Sequence, residues 1–198
     1  MSKKDDRFMR MACNIGLEST INIRHGCVAV LNGKVVAQGF NNERCFSSDG
    51  LIRETWCCHA EIDTIRKLLY SVIGIKTKNI SVLCNRDNTK STRQWYKILS
   101  KVTLYVARLP SNSKDGCGGG DDDESSSSSS SSAPCVNCML TLRSLGIKQI
   151  AYISKNKEFV KCKPSEYHHK HVTAGDRSIC KKYQMNYMPD PDFVKIIH

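Results

Sequence analysis

Apolar and polar positions along this chain repeat with two different periods, and the changes of period mark out its elements. Phe8, Met11, Ala12 and Ile15 recur at helical spacing, which predicts a helix over 7–17. Two apolar runs follow, 27–31 and 34–39, separated by Asn32-Gly33. Asn-Gly between such runs predicts a hairpin, because both central turn residues need positive φ. Residues 41–58 are rich in Asn, Ser, Asp and Gly and read as a loop. Residues 59–70 place Ile62, Ile65, Leu68 and Leu69 on one helical face.

The stretch 71–101 is less regular. It suggests a short strand over 80–84 and a short helix over 92–99. KVTLYVARL, over 101–109, reads as a buried strand. Residues 134–145 read as a helix entered through Pro134 and closed by Gly146. IKQIAYIS, over 147–154, is another strand, and 155–198 is a polar extension with no clear period. Helix, hairpin, helix, strand, helix, strand is an α/β order. It predicts a three-layer α-β-α sandwich with a central sheet between helices.

Residues 111–133 change the picture by composition. They are Gly-rich, then acidic, then an unbroken serine run from Ser125 to Ser132. Such a segment buries too little apolar surface to offset the entropy of ordering, and disorder is expected. The domain reading is therefore one unit over 1–154, interrupted by a basic insert at about 71–101 and by the loop 111–133. Residues 155–198 extend the same unit.

The formal net charge is +11. Residues 111–133 hold one Lys and five acids, so the rest of the chain carries 29 basic against 14 acidic residues. That balance suits an anionic partner, either a nucleotide phosphate or a nucleic-acid backbone, and it suits a solvated Lys-rich surface equally. Within 76–101 there are seven basic residues and one acid, with Trp95 and Tyr96 among them. Aromatics among cations fit single-stranded nucleic acid. A surface helix anchored by two aromatics is the reading favoured here. The charged start of the chain lacks the apolar centre of a signal peptide, and no apolar run reaches the roughly 18 residues of a membrane span. A soluble, cytoplasmic protein is expected.

Eleven cysteines, an odd number, include one C-x-x-C pair. Reduced thiols and a metal site fit this pattern better than a disulfide framework. His59-Ala60-Glu61 opens one predicted helix and Pro134-Cys135-Val136-Asn137-Cys138 opens another. A hydrolytic zinc site needs three protein ligands and an open fourth position. His59, Cys135 and Cys138 supply three, and the helix N-termini favour thiolates. Glu61 is placed to move protons as a non-ligand, and H-x-E with P-C-x-x-C is the signature of zinc nucleobase deaminases. Cys57 and Cys58 precede the helix and are set aside as ligands. Cys162, His168, His169, His171 and Cys180 match no regular finger spacing, and are read as scattered residues of a polar tail.

On these residues the chain resembles the cytidine and deoxycytidylate deaminase superfamily, in the branch that includes tRNA adenosine deaminases. The matching stretches are HGCVAVLNGKVVAQGFNN, CHAEIDTIRKLL, VTLYVARL and APCVNCMLTLRSLGIKQIAYIS, spanning about 25–154. The resemblance implies a mixed sheet of about five strands. It implies catalytic Zn2+ on His59, Cys135 and Cys138, with Glu61 as proton shuttle. It also implies that Asn41 contacts substrate and that the Ala60 N–H faces the base. His59 and Cys135 stand 76 residues apart, long for the family, and the two insertions account for it. The expected substrate is a cytosine nucleoside or nucleotide. A nucleic-acid-editing deaminase acting on RNA or single-stranded nucleic acid is the alternative, and a non-catalytic zinc-binding module the second, which the presence of Glu61 disfavours. The family implies at least a homo-dimer.

Overall fold

The structure is a computed structural model that describes residues 1–52, 55–72, 74, 90–109, 131–167 and 171–182. The suggested strand over 80–84 and nearly all of the serine-rich segment lie outside those residues.

Helix α1 (Lys3–Gly16) begins four residues earlier than apolar spacing predicts. The Ser2 hydroxyl accepts the Asp5 N–H at 3.1 Å and caps the first turn, and Asp5 and Asp6 there suit the positive end of the helix dipole. The hairpin forms as expected: β1 (His25–Leu31) and β2 (Lys34–Phe40) pair antiparallel. Its turn residues take positive φ, 50° at Asn32 and 79° at Gly33. Next come α2 (Ala60–Ser71), α3 (Lys90–Leu99) and β3 (Thr103–Arg108). The chain continues with α4 (Val136–Ser144), β4 (Gln149–Ile153), β5 (Phe159–Cys162), a 3₁₀ turn over Pro164–Glu166, and α5 (Ala174–Lys182).

The strands form one mixed sheet in the order β2-β1-β3-β4-β5. Only β3 and β4 pair in parallel, and α4 lies in the connection between them. Strand period two sorts the core into two halves. Cys27, Ala29, Leu104, Val106, Ile150 and Tyr152 face Ile65, Leu68 and Leu69 of α2 and Leu142 of α4. Val28, Val30, Tyr105 and Ala151 alternate with them and face Phe8, Met9 and Ala12 of α1. The expected three-layer α-β-α sandwich is therefore present. Ile65, Leu68 and Leu69 are fully buried, each contributing about 1.5–3 kcal/mol by loss of apolar contact with water. Trp95 and Leu99 of α3 also pack on this half, and the Tyr96 hydroxyl donates to the Ser144 carbonyl at 3.4 Å, so both aromatics of that helix anchor it.

Two glycines let helices approach the sheet. A Cβ on Gly26 would collide with the Ala12 carbonyl oxygen, so α1 seats directly on β1. A Cβ on Gly39 would stand 2.6 Å from Asp63 Oδ2 and 2.7 Å from the Thr64 nitrogen, so α2 seats directly on β2. The second contact fixes the height of α2, and with it the start of that helix.

Candidate zinc centre

His59 and Cys135 are both N-cap residues rather than first residues of their helices. Each has extended backbone, with ψ of 152° and 166°, and this turns the side chain back over the helix end. Cys135 Sγ accepts the Cys138 N–H at 3.4 Å, so one sulfur already serves as the cap of α4. Both helix ends meet where β2 and β3 finish and β1 begins. The Asn41 N–H bonds to the His25 carbonyl there, and Asn42 and Cys58 form a two-way backbone bridge at 3.0 and 2.9 Å.

His59 Nδ1 lies 3.3 Å from Cys135 Sγ and 3.2 Å from Cys138 Sγ. All three donor atoms fall within 4.8 Å of one another. Tetrahedral zinc with ordinary Zn–N and Zn–S lengths sets its N and S ligands about 3.6 Å apart. The spacing and the donor chemistry, one imidazole nitrogen and two sulfurs, therefore fit Zn2+. Among the described residues this is the sole grouping of three such donors. The two cysteines are buried and His59 is half-buried.

The electrostatics of the three donors differ. The Cys135 thiol is held well below its ordinary pKa by hydrogen bonds from Cys138 and His59, which outweigh burial. Burial alone would discharge His59, but hydrogen bonds to Cys135 and Cys57 hold its pKa well above the usual imidazole range. Cys138 is pushed up because Cys135 takes the charge first. Glu61 is 5 % exposed, and burial raises its carboxyl pKa against the pull of His59. The Cys138 thiol and the His59 charge both pull that pKa down, so the carboxyl lies beside the donor group.

The other expected site residues are placed as follows. Asn41 is buried, its Oδ1 accepting the His25 N–H at 2.8 Å and its Nδ2 donating to the Ile23 carbonyl at 2.7 Å. Ala60 is the first helical residue of α2, so its N–H has no acceptor within that helix. Cys58 packs with Ile52 and Ile62, and burial pushes its thiol up to about 12. It is a neutral core residue. Cys57 touches the His59 ring without joining the donor group. Cys162 ends β5; His168, His169 and the Cys180 side chain lie outside the described residues. Cys13 is disulfide-bonded, contrary to the expectation of reduced thiols throughout, while Cys27, Cys45, Cys57, Cys58, Cys135, Cys138 and Cys162 are free.

Several supporting residues were not foreseen. The Asp49 carboxylate is fully buried and accepts from Arg66 and Tyr70 of α2, and from the Ser47 hydroxyl and Leu51 N–H of its own loop. Tyr167 donates to the Pro134 carbonyl at 2.6 Å and the Val136 N–H donates to the His171 carbonyl at 2.9 Å. The polar extension thus holds the start of α4. His25 and Arg108 are cross-strand partners at this end of the sheet, and burial with the Arg108 charge pushes the His25 imidazole down to about 4. The Asp49-Gly50 turn signal was the one hint of the first of these arrangements.

Residues 2–154 match the model of the cytidine and deoxycytidylate deaminase zinc-binding region. No curated protein matches the chain. Among solved structures it is similar to a cytidine deaminase from Burkholderia pseudomallei, at 16% identity and a TM-score of 0.46, over 84% of this chain and 95% of that one. No helix among the described residues is long and apolar enough to cross a membrane.

Proposed function

The chain belongs to the cytidine and deoxycytidylate deaminase zinc-binding family, and from that premise we propose that it is a zinc-dependent hydrolytic deaminase. It converts the cytosine of a nucleoside or nucleotide to uracil and releases ammonia. The observation that carries this reading is a buried carboxyl, Glu61, set against a compact His, Cys, Cys donor group. A purely structural zinc site needs no such proton carrier.

His59, Cys135 and Cys138 hold the metal. Bound Zn2+ supplies Lewis acidity that makes water a nucleophile at neutral pH. Glu61 would take a proton from the attacking water and pass it to the ring nitrogen, then take a second proton from the new hydroxyl on the ring carbon and pass it to the amine, which leaves as ammonia. Burial raises its proton affinity, which suits a group that must both accept and donate. The Ala60 N–H at the positive end of α2 faces the base. Asn41, already bonded to the backbone of Ile23 and His25, presents its remaining amide capacity to the substrate.

A second reading, a deaminase that edits nucleic acid, is favoured by one observation. Phe46 and Trp56 are 68% and 63% exposed on the loop that leads to His59. Exposed aromatics beside a base-modifying site could stack neighbouring bases.

The test offers the zinc-loaded protein cytidine, deoxycytidine, their monophosphates and an RNA stem-loop. Ammonia release from the mononucleoside or mononucleotide class supports the first reading, and release from the stem-loop alone selects the second. A zinc-loaded protein inactive on all of them would overturn both.

A further inference from the structure

At the opposite end of the sheet from the zinc donors, a cleft of about 370 Å³ lies between α1, the Asn32-Gly33 turn and the starts of β3 and β4. Four lysines line it. Lys4 comes from the first turn of α1, Lys101 precedes β3, Lys148 precedes β4, and Lys161 lies in β5. Their sequence positions are far apart, so the fold brings them together. The Lys148 N–H bonds to the carbonyl of Val102, the residue after Lys101, and this keeps the two approaches side by side.

The floor of the cleft is built. Tyr105 donates to Asp5 Oδ1 at 2.7 Å, and Lys161 Nζ donates to the same oxygen at 2.8 Å. Asp5 thus offsets the charge of Lys161. Lys4, Lys101 and Lys148 have no salt-bridge partner among the described residues, whereas Arg10, Arg66, Lys67 and Lys163 all do. Three ammonium groups with no ion-pair partner among the described residues, set around one concavity, repel each other, and an anion between them relieves that repulsion. The N-terminus of the 14-residue α1 also opens here, adding positive potential of the same sign.

We infer that this cleft is a second ligand site, distinct from the zinc centre, that binds the phosphate group of a small molecule. Lysine acts on phosphate as a movable point charge, and three of them more than offset the roughly two negative charges of a phosphate monoester. The volume falls within the range of small-ligand pockets, roughly 300–1,000 Å³. The inference rests on the lysines and the cleft, and stands apart from the deaminase reading.

Isothermal titration of the zinc-loaded full chain at low ionic strength tests it, with inorganic phosphate and glycerol 3-phosphate as probes and sodium chloride as the matched-salt control. Saturable binding of either phosphate probe is expected. The stronger binder identifies free phosphate or a phosphate ester as the source. The double variant Lys101→Ala, Lys148→Ala should weaken the Kd at least tenfold, each single variant less, and Lys181→Ala on α5 not at all. Unliganded unfolding temperatures establish that the variants fold. Absence of saturable heat would overturn the proposal, as would equal weakening by Lys181→Ala or an unchanged Kd in the double variant. Binding of a single-stranded oligonucleotide that is lost in the double variant, with none of either phosphate probe, would overturn it in favour of a polymer.

Discussion

Arg66 Nε donates to Asp49 Oδ2 at 2.6 Å, and this ion pair joins the loop ahead of His59 to the helix that carries Glu61. Asp49 is fully buried and the Arg66 side chain is 13% exposed. Breaking such a pair by removing one partner leaves the other charge uncompensated. Asp49→Asn should therefore cost about 3 kcal/mol in urea unfolding, near the low end for buried pairs. Replacing both partners, as Asp49→Leu with Arg66→Met, should recover part of that loss. An Asp49→Asn protein of unaltered stability would show that the pair does not hold the loop.

Glu61→Gln keeps the shape of the side chain and removes its ability to carry a proton. Zinc content should stay unchanged, because Glu61 lies outside the donor group. Turnover on the substrate found by the ammonia assay should fall by about 10² to 10⁴, the usual contribution of a positioned acid–base group. Full activity in this variant would rule out Glu61 as the shuttle.

What was legible in the sequence follows from how local each signal is. The hairpin could be read because Asn32 and Gly33 carry their own turn conformation. The zinc donors could be read because a C-x-x-C on a first turn and an H-x-E on another each need only a few residues. Strand β5 was missed because Phe159–Cys162 is four residues long and only partly buried. Helix α5 was missed because its face is mostly polar. The helix starts were off by one or two residues at His59 and Cys135, whose capping roles depend on backbone angles that apolar spacing does not encode. The Asp49–Arg66 pair and the Tyr167–Pro134 bond join residues 17 and 33 apart, and no single-chain periodicity reports such partners.

Cysteine replacement separates the donors from their neighbours. Cys135→Ser should lose most of the bound zinc in metal analysis, since it removes a sulfur donor while the serine hydroxyl still caps α4. Cys57→Ser should retain zinc, because Cys57 lies outside the donor group of His59, Cys135 and Cys138. Equal zinc loss in both variants would mean that the ligand set includes Cys57.

Acid stability should carry a contribution from Asp5. Burial alone would raise its carboxyl pKa, but hydrogen bonds from Lys161, Tyr105 and Ser2 outweigh it and hold the group far below the usual range. A depressed folded-state pKa means stability that is present above the unfolded value, near pH 4, and that is lost as pH falls below it. Asp5→Asn should remove that component. Its stability should lie below that of the parent at pH 6, with the gap closing as pH is lowered from about 4 toward 2. Parallel curves across that range would mean that Asp5 titrates alike in the folded and unfolded chains.

Gly39→Ala tests whether the height of α2 above the sheet matters to the zinc centre. The added methyl would stand 2.6 Å from Asp63 Oδ2, 2.7 Å from the Thr64 nitrogen and 2.8 Å from Thr64 Oγ1. The Thr64 backbone cannot turn aside as a long side chain can, so the helix must lift. Overpacking of this kind costs about 1–3 kcal/mol. His59 caps α2 and Glu61 lies in its first turn, so a lifted helix carries both away from Cys135 and Cys138, which belong to α4. Gly39→Ala should therefore lose stability and bind zinc more weakly in a chelator competition. Gly74→Ala is the comparison: that glycine has open space around it, and its positive φ of 69° strains only the local backbone. It should lose stability without changing zinc affinity. Equal zinc affinity in the two variants would separate the packing of α2 on β2 from the geometry of the metal site.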